Sequence, residues 1–300
     1  MTAKKKRVII IALIICAALL TIIFYSPIVA FLKQNGILRA EQTGNYLAVL
    51  DVGEADAILV QSDGKTALID TGDITDAGNA LAVKLKQAGI LTIDTLILTH
   101  SHTDHAGGLY EILSQFEVKK FYYTTIFSEN ETAKEYFSQV RKIMRQKQID
   151  AEIIKEDKAF CVGAFDFEVL ASETKSTDGD EINNAGVVLK AECDGRSFLL
   201  MADAEEYTER YLIGKYENLK CDVLKIGHHG SNTSSSRTFI KSVLPKYAAI
   251  SCGDKETYGH PSDEVLQRLN KYGARVLRTD IHSDIYFYVN NGRLAVTTAK

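Results

Sequence analysis

The chain has 300 residues, 46% of them hydrophobic, and a formal charge of −4. That is enough apolar material for one large core or two small ones, and too little positive charge for a general nucleic-acid-binding surface. Cysteines 161, 193, 221 and 252 form no C-x-x-C, which excludes a zinc ribbon and a dense disulfide framework. Cys193, Cys221 and Cys252 stand in or beside apolar strands, where a buried free thiol is the default.

The N-terminus is a separate region. Lys4-Lys5-Lys6-Arg7 precedes an uncharged run from Val8 to Tyr25 whose apolar character fades by Leu32. About eighteen apolar residues suffice to cross a bilayer, and a basic cluster belongs on the cytoplasmic side. The expected layout is a cytoplasmic tail at 1–7, a transmembrane anchor at 8–32, a linker at 33–44 and an extracellular domain at 45–300. Secretion after signal cleavage is the alternative, although Ile28-Val29-Ala30 fits a cleavage site poorly. Ile15 before Cys16 argues against a lipoprotein cysteine.

From Asn45 onward strands come first: Tyr46–Val52, Ala57–Gln61 and Thr66–Ile69, the last two split by the turn Ser62-Asp63-Gly64-Lys65. A helix follows at Ala77–Ala88, then the β-branched run Asp94–Thr99, which reads as a buried strand. The order continues with a helix at Leu109–Phe116, a strand at Phe121–Thr124, an amphipathic helix at Glu131–Gln146, and strands near Ala151–Ile154 and Phe165–Leu170. In the second half, strands at Val187–Cys193 and Phe198–Ala202 lead into alternating helix and strand. Helices are expected at Thr238–Val243 and Asp263–Lys271, and strands at Val276–Leu277, Ile285–Val289 and Leu294–Thr298. Strand runs with helices in both halves fit two mixed sheets packed face to face with helices outside, an α/β (mixed α+β) architecture.

Six of the seven histidines fall in three short motifs. The first, His100-Ser101-His102-Thr103-Asp104-His105, follows the buried strand directly and is followed by Gly107-Gly108, which permits close approach to the backbone. The second, His228-His229-Gly230-Ser231, follows the short strand Leu224-Lys225-Ile226-Gly227. The third is Tyr258-Gly259-His260-Pro261-Ser262, a turn before a helix. Asp203 stands at the tip of the apolar strand Phe198–Ala202. Imidazole nitrogen and carboxylate oxygen at successive strand ends are the donors that zinc and similar ions take, so this set predicts metal binding. His282, between Ile281 and Ser283, reads as a loop or surface histidine.

The motifs H-x-H-x-D-H, a later Asp and a later His resemble those of the metallo-β-lactamase superfamily. The wording is most similar to the soluble hydrolase domain of ComEC-type competence proteins, which take part in DNA uptake. That likeness is carried by Leu50–Ala57, Leu68–Gly72, Leu98–Gly108, Asn183-Asn184, Leu199–Glu205, Leu224–Ser231 with Ser234-Ser235-Ser236, and Gly259–Ser262. It implies a four-layer αβ/βα sandwich, here preceded by one N-terminal transmembrane helix, with a site for two divalent ions, zinc or manganese. By the resemblance, His100, His102 and Asp203 would hold one ion, and Asp104, His105, the bridging Asp203 and His228 the other. Either His228 or His229 could be that last ligand; His228, directly at the strand end, is favoured. Asp70 would orient the motif histidines. The chain departs from the superfamily in having Asn183-Asn184, without a histidine, before the bridging Asp. Glu54-Ala55 replaces the commoner Gln-Gly, and no stretch of these 300 residues resembles the channel region of competence proteins.

The implied chemistry is hydrolysis, since a divalent ion lowers the pKa of water from about 15.7 toward ~7. Asp104 and His260 are the candidate catalytic residues, His260 to hydrogen-bond a substrate oxygen or assist a leaving group. Ser231 and Asn184 are candidate substrate contacts, the Ser231–Ser236 run offering hydroxyls and helix N-terminal amides to a phosphate or plain helix capping. The expected activity is that of a membrane-anchored extracellular phosphodiesterase or nuclease. The alternatives are a metallohydrolase of another ester class, such as a phosphorylcholine esterase or lactonase, and a noncatalytic binding protein with a relict site.

Overall fold

A computed structural model describes residues 44–73, 76–124, 131–176, 179–254 and 257–300. The expected anchor at 8–32, its flanking tail and nearly all of the linker lie outside the described residues. Among the described residues no helix is long and apolar enough to cross a membrane.

Two sheets carry the structure. The first holds β1 (Asn45–Val49), β2 (Ile58–Ser62), β3 (Lys65–Ile69), β4 (Thr92–Ile97), β5 (Glu117–Tyr123), β6 (Asp150–Ile153), β14 (Ile285–Asn290) and β15 (Arg293–Thr298), in the order β15-β14-β1-β2-β3-β4-β5-β6. The second holds β7 (Ala159–Val162), β8 (Phe165–Ala171), β9 (Val188–Cys193), β10 (Arg196–Leu200), β11 (Val223–Lys225), β12 (Tyr247–Ile250) and β13 (Arg275–Arg278), in the order β13-β12-β11-β10-β9-β8-β7.

Alternation along the strands explains the layering. In β1, Leu47 and Val49 point between the sheets to meet Phe165, Phe198 and Phe287. Tyr46 and Ala48 point the other way, into a core with Leu81, Leu85, Ile112 and Phe137 of the flanking helices. In β10, Phe198 and Leu200 face the inter-sheet core; Leu199 faces Leu212, Phe239 and Leu269 on the second sheet's outer side. Strands buried on both faces need helices over each sheet, and the result is four layers: helix, sheet, sheet, helix. The helices include Asp76–Gln87, Leu109–Gln115 and Glu131–Lys147 on one side, and Glu206–Lys215, Arg237–Val243 and Asp263–Lys271 on the other.

Several short elements differ from the sequence reading, the one-turn helix Glu181–Asn184 and the 3-10 turn Gly227–Gly230 among them. A short helix, Thr103–Ala106, precedes Leu109–Gln115 where a plain loop was expected. The edge strand β7 has no clear apolar alternation and goes unpredicted. His282 ends a one-turn helix, Thr279–His282, with its Nδ1 beside the carbonyl of Arg278 at 2.9 Å, rather than lying in a loop. The described cysteines Cys161, Cys193, Cys221 and Cys252 are free thiols.

Candidate metal centre

The site lies where parallel strands end together. β3 runs parallel to β4 in one sheet, and β10 to β11 and β11 to β12 in the other, so their C-terminal ends share an edge, the usual ligand-binding edge of such sheets. Asp70 follows β3, His100–His105 follow β4, Asp203 follows β10, and His228 and His229 follow β11. Several of these residues hold left-handed backbone: Asp70 (φ 60), Ala202 (φ 48), His228 (φ 48) and His229 (φ 51). Such non-glycine conformations cost of order 1–3 kcal/mol each and persist only where surrounding contacts impose them. Here His228 N–H donates to Ala202 O (3.0 Å) and Ser231 N–H to His228 O (2.7 Å), closing the tight turn that aims two consecutive imidazoles.

Asp104, His105, Asp203 and His229 form a compact group whose ligand atoms all lie within 4.8 Å of one another. His105 Nε2 is 3.2 Å from Asp203 Oδ1 and 3.7 Å from Asp104 Oδ2. His229 Nε2 is 3.2 Å from Asp104 Oδ2 and 3.6 Å from Asp203 Oδ1. Ligands about 2.0–2.1 Å from a tetrahedral ion stand ~3.3 Å apart, so the spacing suits one divalent ion. The expectation favoured His228 for this place, and the geometry corrects it: the left-handed turn swings His229 inward, while His228 Nε2 faces the other carboxylate oxygen, 3.9 Å from Asp203 Oδ2.

On that second side the donors are looser. His100 Nε2 is 3.8 Å from Asp203 Oδ2. His102 is partly exposed, with Nε2 3.9 Å from Asp180 Oδ1. The structure thus brings His100, Asp203 and His228 toward one region, with His102 and Asp180 at its rim.

The neighbouring contacts fix which imidazole nitrogen faces the site. His105 Nδ1 donates to Asp70 Oδ2 (2.7 Å), and Asp70 also accepts from the Thr99 N–H and hydroxyl. Because the Thr99 hydroxyl donates to Asp70, its lone pair accepts from His100 Nδ1 at 3.1 Å. His229 Nδ1 donates to Ser251 O at 3.1 Å. His228 Nδ1 is held by Thr233 Oγ1 at 3.2 Å and lies 3.4 Å from Glu205 Oε1. Each Nε2 is therefore left with its lone pair toward the centre, the arrangement metal-binding histidines need.

Buried atoms without partners provide a test of fit. His100 Nε2, His105 Nε2 and Asp203 Oδ1 are buried and make no hydrogen bond, although such groups are normally paired. His105 Nε2 and Asp203 Oδ1 face the compact group and His100 Nε2 the other side of Asp203, so divalent ions on the two sides would satisfy them. Without metal, protons take its place. Burial opposes a charge on His105, but the carboxylates of Asp203, Asp70 and Asp104 outweigh it and raise its pKa well above the usual histidine value. For His229 burial is likewise outweighed, by Asp203, Asp104 and Asp56, and its pKa rises to about 9. Burial and the charge of His105 push His100 well below its ordinary value. Asp203, despite its burial, is held well below the carboxylate range by His105 and His229.

The centre opens into a cleft of about 850 Å³ lined by Glu54, Tyr136, Asp180, Asn183, Tyr258 and His260 among others. His260 reaches it because its loop packs onto Gly230: that residue has φ +83, and a Cβ there would lie 2.5 Å from Pro261 Cβ. The His260 ring is 5.6 Å from that of His228 and stacks under exposed Tyr258 at 5.9 Å. Burial, with His228 and His229 nearby, lowers the His260 pKa, so the ring is neutral at pH 7. Ser231 lines the cleft, its Oγ 3.1 Å from Thr233 Oγ1.

Asn184 does not face the cleft. It is fully buried, its amide bonded to Asp180 O and Glu205 Oε2 and its oxygen accepting from the Thr208 hydroxyl. Asn183, one position earlier on the one-turn helix Glu181–Asn184, lines the cleft instead. The serine run serves capping: Ser236 Oγ accepts from Phe239 N, and the Ser235 and Ser236 amides donate to the buried Glu209 carboxylate. Sequence reasoning assigned no role to Asp180, Glu205, Thr99, Asp56 and Lys225, all of which bear on the site. The readable signal was a charge inside apolar sequence, as in Ala55-Asp56-Ala57 and Leu224-Lys225-Ile226.

A four-layer sandwich with paired imidazoles and carboxylates at its strand ends defines a metal-dependent hydrolase. The chain belongs to the metallo-β-lactamase superfamily, whose family model matches residues 50–254. It is 31% identical over 260 residues to ComE operon protein 3 of Bacillus subtilis (strain 168), covering 81% of this chain and 33% of that protein. It is 32% identical over 249 residues to competence protein ComA of Neisseria gonorrhoeae, covering 82% of this chain and 32% of that protein. These relatives support a ComEC-type hydrolase domain. The chain spans about a third of the length of the curated relatives it matches. Among solved structures, it shares the fold of Igni18, a metallo hydrolase from Ignicoccus hospitalis, at 17% identity and a TM-score of 0.54, covering 82% of this chain and 100% of that one.

Proposed function

We propose that the protein is a membrane-anchored, extracellular metal-dependent phosphodiesterase, with nucleic acid among its candidate substrates. The observation that carries the reading is Asp203, whose two carboxylate oxygens face separate sets of imidazoles. Two divalent ions, zinc in the first instance, fit that arrangement. Asp104, His105, Asp203 and His229 would hold one; His100 and His102, with Asp203, would contribute to the other. Such ions would lower the pKa of water toward ~7 and neutralise charge on a phosphodiester. The chain's own residues supply the rest. Asp70, Thr99 and Ser251 keep the imidazoles oriented, and neutral His260 would hydrogen-bond a substrate oxygen from the cleft's far side. The anchor rests on Lys4–Arg7 and the uncharged run behind them.

A second reading is favoured by the cleft's charge. Its described lining includes Glu54, Asp73, Asp180 and Glu205 and no lysine or arginine. A long polyanion gains little there, whereas a small ester with a cationic headgroup would meet acidic and aromatic side chains. The purified protein, assayed with bis-p-nitrophenyl phosphate, single-stranded DNA, RNA, p-nitrophenyl phosphorylcholine and lactones, separates the readings. Chelator-sensitive cleavage of the first three supports a phosphodiesterase open to nucleic acid; cleavage of p-nitrophenyl phosphorylcholine alone, also a phosphodiester, overturns the nucleic-acid substrate, and turnover confined to lactones overturns the phosphodiesterase.

A further inference from the structure

Lys225 is the one lysine or arginine that is fully buried among the described residues. It shares the strand face of Val223, which belongs to the inter-sheet core, a position where alternation calls for an apolar side chain. Its Nζ donates to Asp56 Oδ2 at 2.7 Å, across 169 positions of sequence, and both side chains are only 1% exposed. Removing two charges from water is costly, and apolar residues in their place are often as stabilising or more so. Stability alone is therefore a weak account of this pair.

Its contacts point elsewhere. Asp56 N–H donates to Asp104 O (3.0 Å), and Asp56 O accepts from Gly72 N (2.9 Å), so the residue is tied to the segment bearing Asp104 and His105 and to the one following Asp70. Lys225 Nζ also donates to Ile226 O at 3.1 Å, two residues before His228. The Lys225 backbone pairs with Leu200, and its carbonyl accepts from Met201 N, two residues before Asp203. The pair joins the half of the centre built by the first sheet to the half built by the second. Asp56 Oδ1, buried and without a hydrogen bond, stands 3.9 Å from His229 Nδ1.

We propose that Asp56 and Lys225 are positioning residues, an inter-sheet ion pair that sets the separation of Asp104 and His105 from Asp203 and His229. Lys225 holds the Asp56 carboxylate behind the imidazoles and keeps it from swinging onto a bound cation. The inference rests on the reading that these four ligands hold a divalent ion.

The test uses the full-length protein with zinc alone, measuring affinity by competition with a chromophoric chelator and the melting temperature of the metal-free form. Lys225→Met and Asp56→Asn are each expected to weaken the tighter zinc by about 10–100-fold, the usual effect of losing an outer contact to a metal site. The double variant Asp56→Leu/Lys225→Met removes both charges, so it is expected to fold even where a single variant does not. Its metal-free melting temperature should match the parent's while its zinc affinity stays reduced and the cobalt-substituted absorption spectrum is altered. A double variant with parental affinity and spectrum overturns the inference, because the pair is then only structural. A parent that binds no zinc or cobalt at all overturns the metal reading itself, a result distinct from equal binding by parent and variant.

Discussion

The two sides of Asp203 differ in kind. Toward Oδ1, three further ligands converge with separations of 3.2–3.7 Å, two of them buried imidazoles with fixed tautomers. Toward Oδ2 the imidazoles stand 3.8–3.9 Å away, and His102, which completes the set, is partly exposed near Asp180. A preformed group loses little conformational freedom when an ion enters, whereas an open one must order side chains first. The centre should thus hold one ion tightly and a second one weakly.

The largest expected effect comes from the residue both sides share. Asp203→Ala should abolish binding of both ions and with it essentially all metal-dependent turnover, as read by elemental analysis and by assay of the same preparation. The next variants separate the sides: His229→Ala should remove the tight ion, and His102→Ala should leave one tight ion per chain. Calorimetric titration showing two equal sites, or loss of the tight ion in His102→Ala, would break the asymmetry. His260→Ala acts on neither side directly. It should retain metal content and lose roughly 10²–10⁴-fold in rate, the range for a proton-transfer group; unchanged turnover would make His260 structural.

Much of this centre was legible in the sequence because its donors are chemically conspicuous and sit at strand ends. The hexapeptide His100–His105 and Asp203 stood out by residue type and flanking apolar runs, and His260 by its place in a turn before a helix. What failed to show was decided by backbone detail. Choosing between His228 and His229 depends on two consecutive left-handed residues, which no periodicity announces. Choosing between Asn183 and Asn184 depends on which side of a one-turn helix faces the cleft. The Asp56–Lys225 pair joins residues distant in the chain, and a lysine in a three-residue strand reads first as an exposed position. Most strands were found within a few residues because burial on both faces makes their apolar runs strong, and β7, at an edge, was the exception.

The smallest expected effect, led by the compact side with His228 raised in the same sense, is a pH dependence of the metal-free protein. His229 has an ordinary pKa near 6.5 and a folded value raised to about 9 in the absence of metal. A raised histidine contributes stability that is fully present below its unfolded pKa and is lost as pH rises through the folded one. Metal-free protein should therefore lose melting temperature between about pH 7 and 9, with His105, raised in the same sense, adding to the trend. Glu209, buried and pushed up to about 7, acts lower: its cost grows as pH rises from its ordinary value toward 7 and then stays constant. Above pH 7.5 the decline is led by the histidines, with the buried thiols of Cys193, Cys221 and Cys252, pushed up by burial, adding to it toward pH 9. Zinc must displace their protons, so the rise in melting temperature that zinc produces should grow over that same interval. The His229→Ala variant should show a flatter profile in both measurements. A metal-free profile that climbs from pH 7.5 to 9 would mean that the compact group does not hold these protons, and the tight side of the comparison would lose its electrostatic basis.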